Sequence, residues 1–273
     1  MAGWPCHGGV AFGAAGPGAG RPFGMPEGHL IHRHAREQHT ALSGRTVRAS
    51  SPQGRFEAGP YDGRTLTEVE ALGKHLLYHF ENGLPAIHVH LGMRGIYLHH
   101  DDPTTPPRPG TRLRLATDNT AYDLIAPIRC EPMDAPAVAT LRDSLGPDPL
   151  RDDASPSEAV RRLTSFRGPV GAGVLDQGVW AGIGNAWRAE LLFLVGIHPG
   201  TRNVDASTAL RLWEAAATYL ALGRDAGQVV SDPSAPDERW VYKREHCRRC
   251  GTPVETWQLA SRTAYACPHD QPP

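Results

Sequence analysis

The sequence predicts an α+β fold: a leading helix and a β domain, then a helical domain and a small cysteine-bearing end. Three observations carry this. Short alternating segments punctuated by Gly and Pro fill residues 45 to about 130, helix-period segments follow from Ser157, and Cys247, Cys250 and Cys267 gather near the end. A chain of 273 residues suggests two domains of ordinary size, and 40% hydrophobic residues suffice for a core. No apolar run approaches the roughly 18 residues that cross a membrane. A formal charge of −1 gives no global sign of a polyanionic partner, so any such case rests on local charge. Fourteen histidines are many, but they fall on scattered segments and read mostly as solvated or structural.

Taken in order, residues 1–24 are mostly Gly, Ala and Pro with one charge, Arg21. That composition cannot bury a core and reads as a disordered extension. It lacks the basic start and sustained apolar core of a signal peptide. The expectation is an upstream start chosen in error, with Met25 the true beginning; a genuine flexible arm is the alternative. Next, Leu30, Ile31, Ala35, Ala41 and Leu42 fall near helical spacing. A helix beginning at Pro26 fits, with Glu27 in its first turn. "TLTEVEAL", "HLLYHF", "AIHVHL" and "TRLRLAT" then read as antiparallel strands of a sandwich or barrel. A Pro- and Asp-rich stretch from Asp134 to Ser157 reads as interdomain. Beyond it "SEAVRRLTSF", "GVLDQGV", "AWRAELLFLVG" and "DASTALRLWEAAATYLAL" read as helices, and "SDPSAPDE" as a loop.

Five cysteines, with no secretion signal, argue for an intracellular metal site and against disulfides. Cys6 and Cys130 are isolated, whereas Cys247-x2-Cys250-x16-Cys267 has the spacing of metal-binding knuckles on a hairpin. A fourth ligand is expected three residues after Cys267, where Asp270 stands with His269 beside it. Either side chain can bind zinc, and the alternative is a degenerate finger held by packing. Around this end six basic residues, Arg239, Lys243, Arg244, Arg248, Arg249 and Arg262, face two acids, Glu245 and Glu255. They are either a solvated charged face or a phosphate-binding surface. Upstream, Gly182-Ile183-Gly184-Asn185 reads as a tight turn with Asn185 capping the next helix, whose free N–H groups suit a phosphate. Any helical hairpin also turns on glycine.

Together these stretches resemble the formamidopyrimidine-DNA glycosylase and endonuclease VIII family of base-excision repair enzymes. The landmarks are "MPEGH" at 25–29, "GKH" at 73–75 and "HLGMRG" at 90–95. Val174-Leu175-Asp176-Gln177, the 182–185 turn, Glu190, His198-Pro199 and "SRTAYACP" at 261–268 follow. The match runs from Met25 to about Gln271. It implies an N-terminal β-sandwich with a leading helix, a helix–two-turn–helix domain and a C-terminal zinc-finger β-hairpin. The boundaries expected are residues 1–24 for the extension, 25–145 for the catalytic sandwich, 155–232 for the DNA-binding helices and 239–273 for the finger.

The resemblance also implies an activity: a bifunctional DNA glycosylase and apurinic-site lyase. In this family the initiator methionine is removed and the secondary amine of proline attacks the sugar. A free terminal amine, with pKa near ~8, has the lone pair that an amide lacks. Pro26 is therefore implied as nucleophile only when residues 1–25 are gone. Glu27 is implied in proton transfer at the sugar, Lys74 in the first stages and Arg262 in the second elimination. Asn185 is implied to hold a phosphate, with Gln177 and Glu190 supporting its turn. Met93 is implied as the wedge filling the space of a flipped base, against a reading as sandwich core. Arg129 is set down as a further DNA-facing residue on position alone. Structural zinc is expected on Cys247, Cys250, Cys267 and Asp270 or His269.

The family's 8-oxoguanine branch carries an Arg-Phe pair that "YDLIAPIRCEPMD", residues 122–134, lacks; this points to the endonuclease VIII branch and oxidised pyrimidines. The partner implied is double-stranded DNA with a damaged base or abasic site, met by a cytoplasmic monomer with no membrane association. Two rivals stand beside this reading. A non-catalytic damaged-DNA-binding protein on the same fold follows if Pro26 stays internal. A zinc-binding protein-interaction module leaves "MPEGH" and "GKH" unexplained.

Overall fold

The computed structural model describes residues 26–273; the expectations for residues 1–24, Met25 and Cys6 lie outside the described residues. Helix α1 spans Gly28–Leu42 and buries Ile31, Ala35 and Leu42 on one face. It starts two residues later than the sequence suggested. Glu27 is its N-cap, in extended conformation, and Pro26 lies outside the helix. The displaced start has a physical cause, because the Glu27 carboxylate is committed elsewhere.

Eight antiparallel strands follow. They are β1 Arg45–Ser50, β2 Arg64–Leu72, β3 His75–Phe80, β4 Ala86–His90, β5 Ile96–His100, β6 Thr111–Ala116, β7 Ala121–Ile125 and β8 Arg129–Met133. Their order is β5-β7-β6-β1-β2-β3-β4-β8. Strand β1 is shared. Arg45–Val47 pairs with β2 while Arg48–Ser50 pairs with β6, so the sheet bends there into two layers. Val47, Leu66, Leu76 and Ile87 from one layer and Leu113, Leu115 and Leu124 from the other fill one core, capped by Ile31 and Leu42 of α1. Val47 and Ala49 of β1 alternate with exposed neighbours, whereas β4 and β7 are buried over four consecutive residues, inside the packed layers.

The Asp134–Ser157 stretch is not merely a linker. It contains helix α2, Ala135–Ser144, capped by the Asp134 side chain on the Ala137 N–H. Pro136 sits in the first turn, where a missing N–H costs nothing. Helix α3, Pro156–Ser165, begins with Ser155 accepting from the Glu158 N–H. The "GVLDQGV" segment, expected as a helix, is almost entirely turns: the short α4, Val170–Gly173, ends on its first residue. Helix α5, Asn185–Val195, is buried from Asn185 to Phe193. Helix α6, Ala206–Ala226, is capped by Asp205 and ends on Gly227 at φ 72°. Trp180, Trp187, Leu191, Leu192, Leu212 and Leu220 make the second core. The chain closes with the hairpin of β9, Glu255–Leu259, and β10, Arg262–Ala266. No described helix is long and apolar enough to cross a membrane.

Candidate active site

The start of α5 organises the site. Its N-cap is Gly184, which has no side chain with which to cap, so the helix N–H groups need an outside partner. Glu27 supplies it. Its Oε2 accepts from the N–H of Gly184 (3.1 Å) and Trp187 (3.3 Å), and its Oε1 from that of Ala186 (2.9 Å). These donors were expected to meet a phosphate; a carboxylate already holds them. Nor does Asn185 cap the helix, because it is the first helical residue. Close approach requires glycine on both sides: a Cβ on Gly184 falls 2.3 Å from Glu27 Cδ, and one on Gly28 falls 2.7 Å from Gly182 Cα. The Gly28 N–H donates to the Gly182 carbonyl at 2.8 Å, completing the contact.

Glu27 is 3% exposed. Burial raises its pKa, while the nearby Lys74 charge and the three N–H groups pull it back. Lys74 sits on the β2–β3 turn and donates to the Ile183 carbonyl at 2.7 Å. Burial pushes its ammonium pKa down, Glu27 pushes it up and Arg262 lowers it further. The acid and the ammonium are thus drawn toward each other's titration range. The turn is positioned by Asp148, whose Oδ2 accepts from the Gly73 N–H (2.8 Å) and pairs with His32 Nε2 (2.7 Å). Gln177 supports the glycine turn as expected: its Nε2 donates to Ile183 O and its Oε1 accepts from the Gly182 N–H. Glu190 does not support that turn. It accepts from the N–H groups of Trp240, Val241 and Tyr242 and from Ser231, and so anchors the chain leading into the cysteine end.

Pro26, Glu27, Lys74, Met93, Asn185 and Arg262 all line one cleft of about 860 Å³. Met93 is no core residue; it is 68% exposed. Beside it on the lip stands Ile128, 64% exposed and missed from the sequence. Gly92, at φ 66°, lets the two loops touch, since a Cβ there meets Ile128 Cγ2 at 2.5 Å. His90 also lines the cleft, with its Nδ1 accepting the Gly92 N–H at 3.0 Å. Arg129 does not line it; its Nη1 pairs with Glu131 at 3.2 Å.

Arg262 follows a two-residue turn, Ala260-Ser261, in which both residues have positive φ, 52° and 58°. Such a turn favours Gly or Asn, and other residues there cost of the order of 1 kcal/mol each. The tip is tied to α5. Asn185 Nδ2 donates to Thr263 O at 3.0 Å, and buried Arg188 donates to Thr263 O (2.8 Å) and Leu259 O (3.1 Å). Asn185 Oδ1 is buried without a partner. Burial pushes the Arg188 pKa down to about 10.

The sulfurs of Cys247, Cys250 and Cys267 and a carboxylate oxygen of Asp270 lie within 4.8 Å of one another. Asp270 Oδ2 is 3.2 Å from Cys247 Sγ, and Cys250 and Cys267 Sγ are 3.4 Å apart. A tetrahedral zinc places such atoms about 3.5–3.8 Å apart, so the four side chains fit one. His269 stays outside this cluster, its side chain 70% exposed. The basic excess around the cluster is largely internal. Arg244 pairs with Glu238 and Arg248 with Asp232, while Arg249 stacks on Phe193 and Trp240. These three thus have partners within the protein.

Two family models match the chain: the formamidopyrimidine-DNA glycosylase N-terminal domain over residues 25–126 and the formamidopyrimidine-DNA glycosylase H2TH domain over residues 145–231. Endonuclease 8 1 of Mycobacterium tuberculosis is 38% identical over 265 residues, covering 89% of this chain and 98% of its own. The DNA-(apurinic or apyrimidinic site) lyase Nei2 of Mycolicibacterium smegmatis is 33% identical over 254 residues, with 89% and 98% covered. Among solved structures, the Lactococcus lactis Fpg in complex with abasic-site DNA has the same fold. It has a TM-score of 0.74 at 21% identity and covers 90% of this chain and 100% of that one.

Proposed function

From the chain's membership of the formamidopyrimidine-DNA glycosylase and endonuclease VIII family of base-excision repair, we propose how its glycosylase and apurinic-site lyase activity is carried out. The observation that carries the proposal is the convergence of Pro26, Glu27, Lys74 and Arg262, from four separate segments, on one cleft. The partner is duplex DNA with a damaged base or an abasic site, flipped out so that its sugar reaches the cleft.

With Pro26 as a free terminus, its nitrogen lone pair attacks C1′ of the flipped nucleotide. The glycosidic bond breaks, and its electron pair leaves with the base, which takes up a proton. The C1′–O4′ bond then opens, with O4′ protonated and an iminium left between Pro26 and C1′. Glu27 holds the proton for O4′; its raised pKa suits an acid at neutral pH. Lys74, with its lowered pKa, assists the first stages as the neighbouring proton carrier. Loss of a C2′ proton expels the 3′ phosphate. Loss of a C4′ proton then expels the 5′ phosphate, with Arg262 at that leaving group. Water hydrolyses the iminium and frees the chain.

Met93 and Ile128 supply an apolar lip that fills the gap left by the flipped base, and Ile128 takes the part of the missing Arg-Phe pair. That difference, and the endonuclease 8 name of the Mycobacterium tuberculosis relative, favour oxidised pyrimidines as substrates. Zinc on Cys247, Cys250, Cys267 and Asp270 would fix the hairpin that carries Arg262. Asn185 would turn its amide from Thr263 to a DNA phosphate when the duplex enters.

The experiment is borohydride trapping on a duplex with an abasic site. Protein beginning at Pro26 is expected to give a covalent adduct, and protein with residues 1–25 still attached to give none. Duplex-binding protein without an adduct sinks the nucleophile and leaves a non-catalytic DNA binder. A panel of thymine glycol, dihydrouracil and 8-oxoguanine duplexes tests the lesion class; preference for 8-oxoguanine overturns the pyrimidine assignment.

A further inference from the structure

We infer that Arg188 is the positioning residue for Arg262, holding the hairpin tip at a set distance from Glu27. The inference rests on the role proposed above for Arg262. Arg188 is 1% exposed, and among the described residues no carboxylate forms an ion pair with it. Its guanidinium spends its donors on carbonyls instead: Thr263 at 2.8 Å, Leu259 at 3.1 Å and Gly171 at 3.4 Å. A buried charge is costly unless hydrogen-bonded, so filling this space alone would be done better by an apolar side chain.

The two hairpin carbonyls it holds bracket the tip. Leu259 stands immediately before Ala260-Ser261, and Thr263 immediately after Arg262. The tip has no Gly or Asn to favour its positive φ angles, so its conformation is imposed from outside. Arg188 and Asn185 do the imposing, and both stand on the first turn of α5. The same turn presents the Ala186 and Trp187 N–H groups to Glu27. One rigid helical turn therefore spaces the Glu27 carboxylate and the Arg262 hairpin, and Arg188 is its connection to the latter. The fork of an arginine reaches both strands at once, which a single ammonium cannot do.

The test follows single turnovers on a duplex with a preformed abasic site, using protein that begins at Pro26. Gels separate the products of the first and second eliminations, and borohydride trapping reports the Pro26 adduct. Arg188→Met is expected to slow the second elimination about tenfold or more while trapping is little changed. Arg188→Lys, which keeps the charge and much of the volume, is expected to fall between Met and the parent and carries the test if the Met variant does not fold. Adding the paired tip substitutions Ala260→Asn and Ser261→Gly to the Arg188 variant makes the turn favourable by itself and is expected to restore part of the loss. Equal losses in trapping and in both eliminations, or an unchanged ratio of products, overturn the inference and leave Arg188 a brace of the fold. Undiminished second elimination in Arg262→Ala overturns the Arg262 assignment itself.

Discussion

The cap that Glu27 provides and the proton transfer proposed for it pull its ionisation in opposite directions. As the outside cap of α5 it is best ionised, since three N–H groups point at it. In the proposed role of proton holder at the sugar it is best protonated, and burial favours that form. Glu27→Gln keeps one acceptor oxygen and loses the transferable proton. Base removal in single turnovers is expected to fall about 100-fold or more, with the protein still folded by circular dichroism. Unchanged base removal would show that the carboxyl is a cap only. His29, two residues on, gives a prediction about stability. Its Nδ1 accepts the Trp187 indole N–H, and burial above all pushes its pKa down to about 3. A folded-state pKa below the ordinary 6.5 means that stability is fully present above pH 6.5 and is lost as pH falls toward 3. His29→Gln retains an acceptor for Trp187. Urea unfolding between pH 4 and 7 is expected to lose a slope of up to about 1.4 kcal/mol per pH unit in this variant. His75, pushed down to about 3 chiefly by burial, keeps part of the acid sensitivity in place. An identical slope in the variant and the parent contradicts the assignment.

At the scale of elements, the site is a meeting of one helix start with three turns. The start of α5 receives the Pro26–Glu27 segment, the β2–β3 turn with Lys74 and the β9–β10 tip with Arg262. Glycine makes the first meeting sterically feasible. Gly184→Ala puts a Cβ 2.3 Å from Glu27 Cδ, so the carboxylate must leave its donors. Thermal unfolding is expected to show a loss of about 1–3 kcal/mol, and trapping to fall with it. Gly59→Ala is the control, because its Cβ meets nothing within 4 Å and its backbone is not left-handed. Equal effects of the two substitutions would mean that helix propensity, not contact with Glu27, governs the result.

For the molecule as a whole, the cysteine end acts on the cleft from outside it. Glu190 of α5 holds the segment Trp240–Tyr242, and Cys247 and Cys267 pack beneath with Ala189 and Phe193. Metal bound at this end would therefore brace the hairpin on α5, while Glu27 and Gly28 are held by the glycine turn. Cobalt substituted for zinc is expected to show charge-transfer bands of three thiolates, and Asp270→Cys those of four. Removing the metal by chelation is expected to suppress the second elimination more than borohydride trapping. Loss of both together would show that the whole fold depends on the metal.

Much of this was legible along the chain. The alternating strands, the helix periods and the C-x-x-C spacing gave the α+β order, because each reports local geometry with a fixed repeat. The short stretches around Pro26, Lys74, Asn185 and Arg262 named the candidate residues through family resemblance. What remained hidden was who holds whom. Glu27 looked like a first-turn residue of its own helix, yet it caps another that begins at Asn185, and Asn185, taken for that cap, grips the hairpin. Ile128 and Arg188 carry no motif; one matters by standing exposed on a lip and the other by being buried without a carboxylate partner. Periodicity and motifs are properties of neighbours in sequence. Desolvation, hydrogen-bond satisfaction and steric approach between distant segments arise only when the sandwich, the helices and the hairpin are brought against one another.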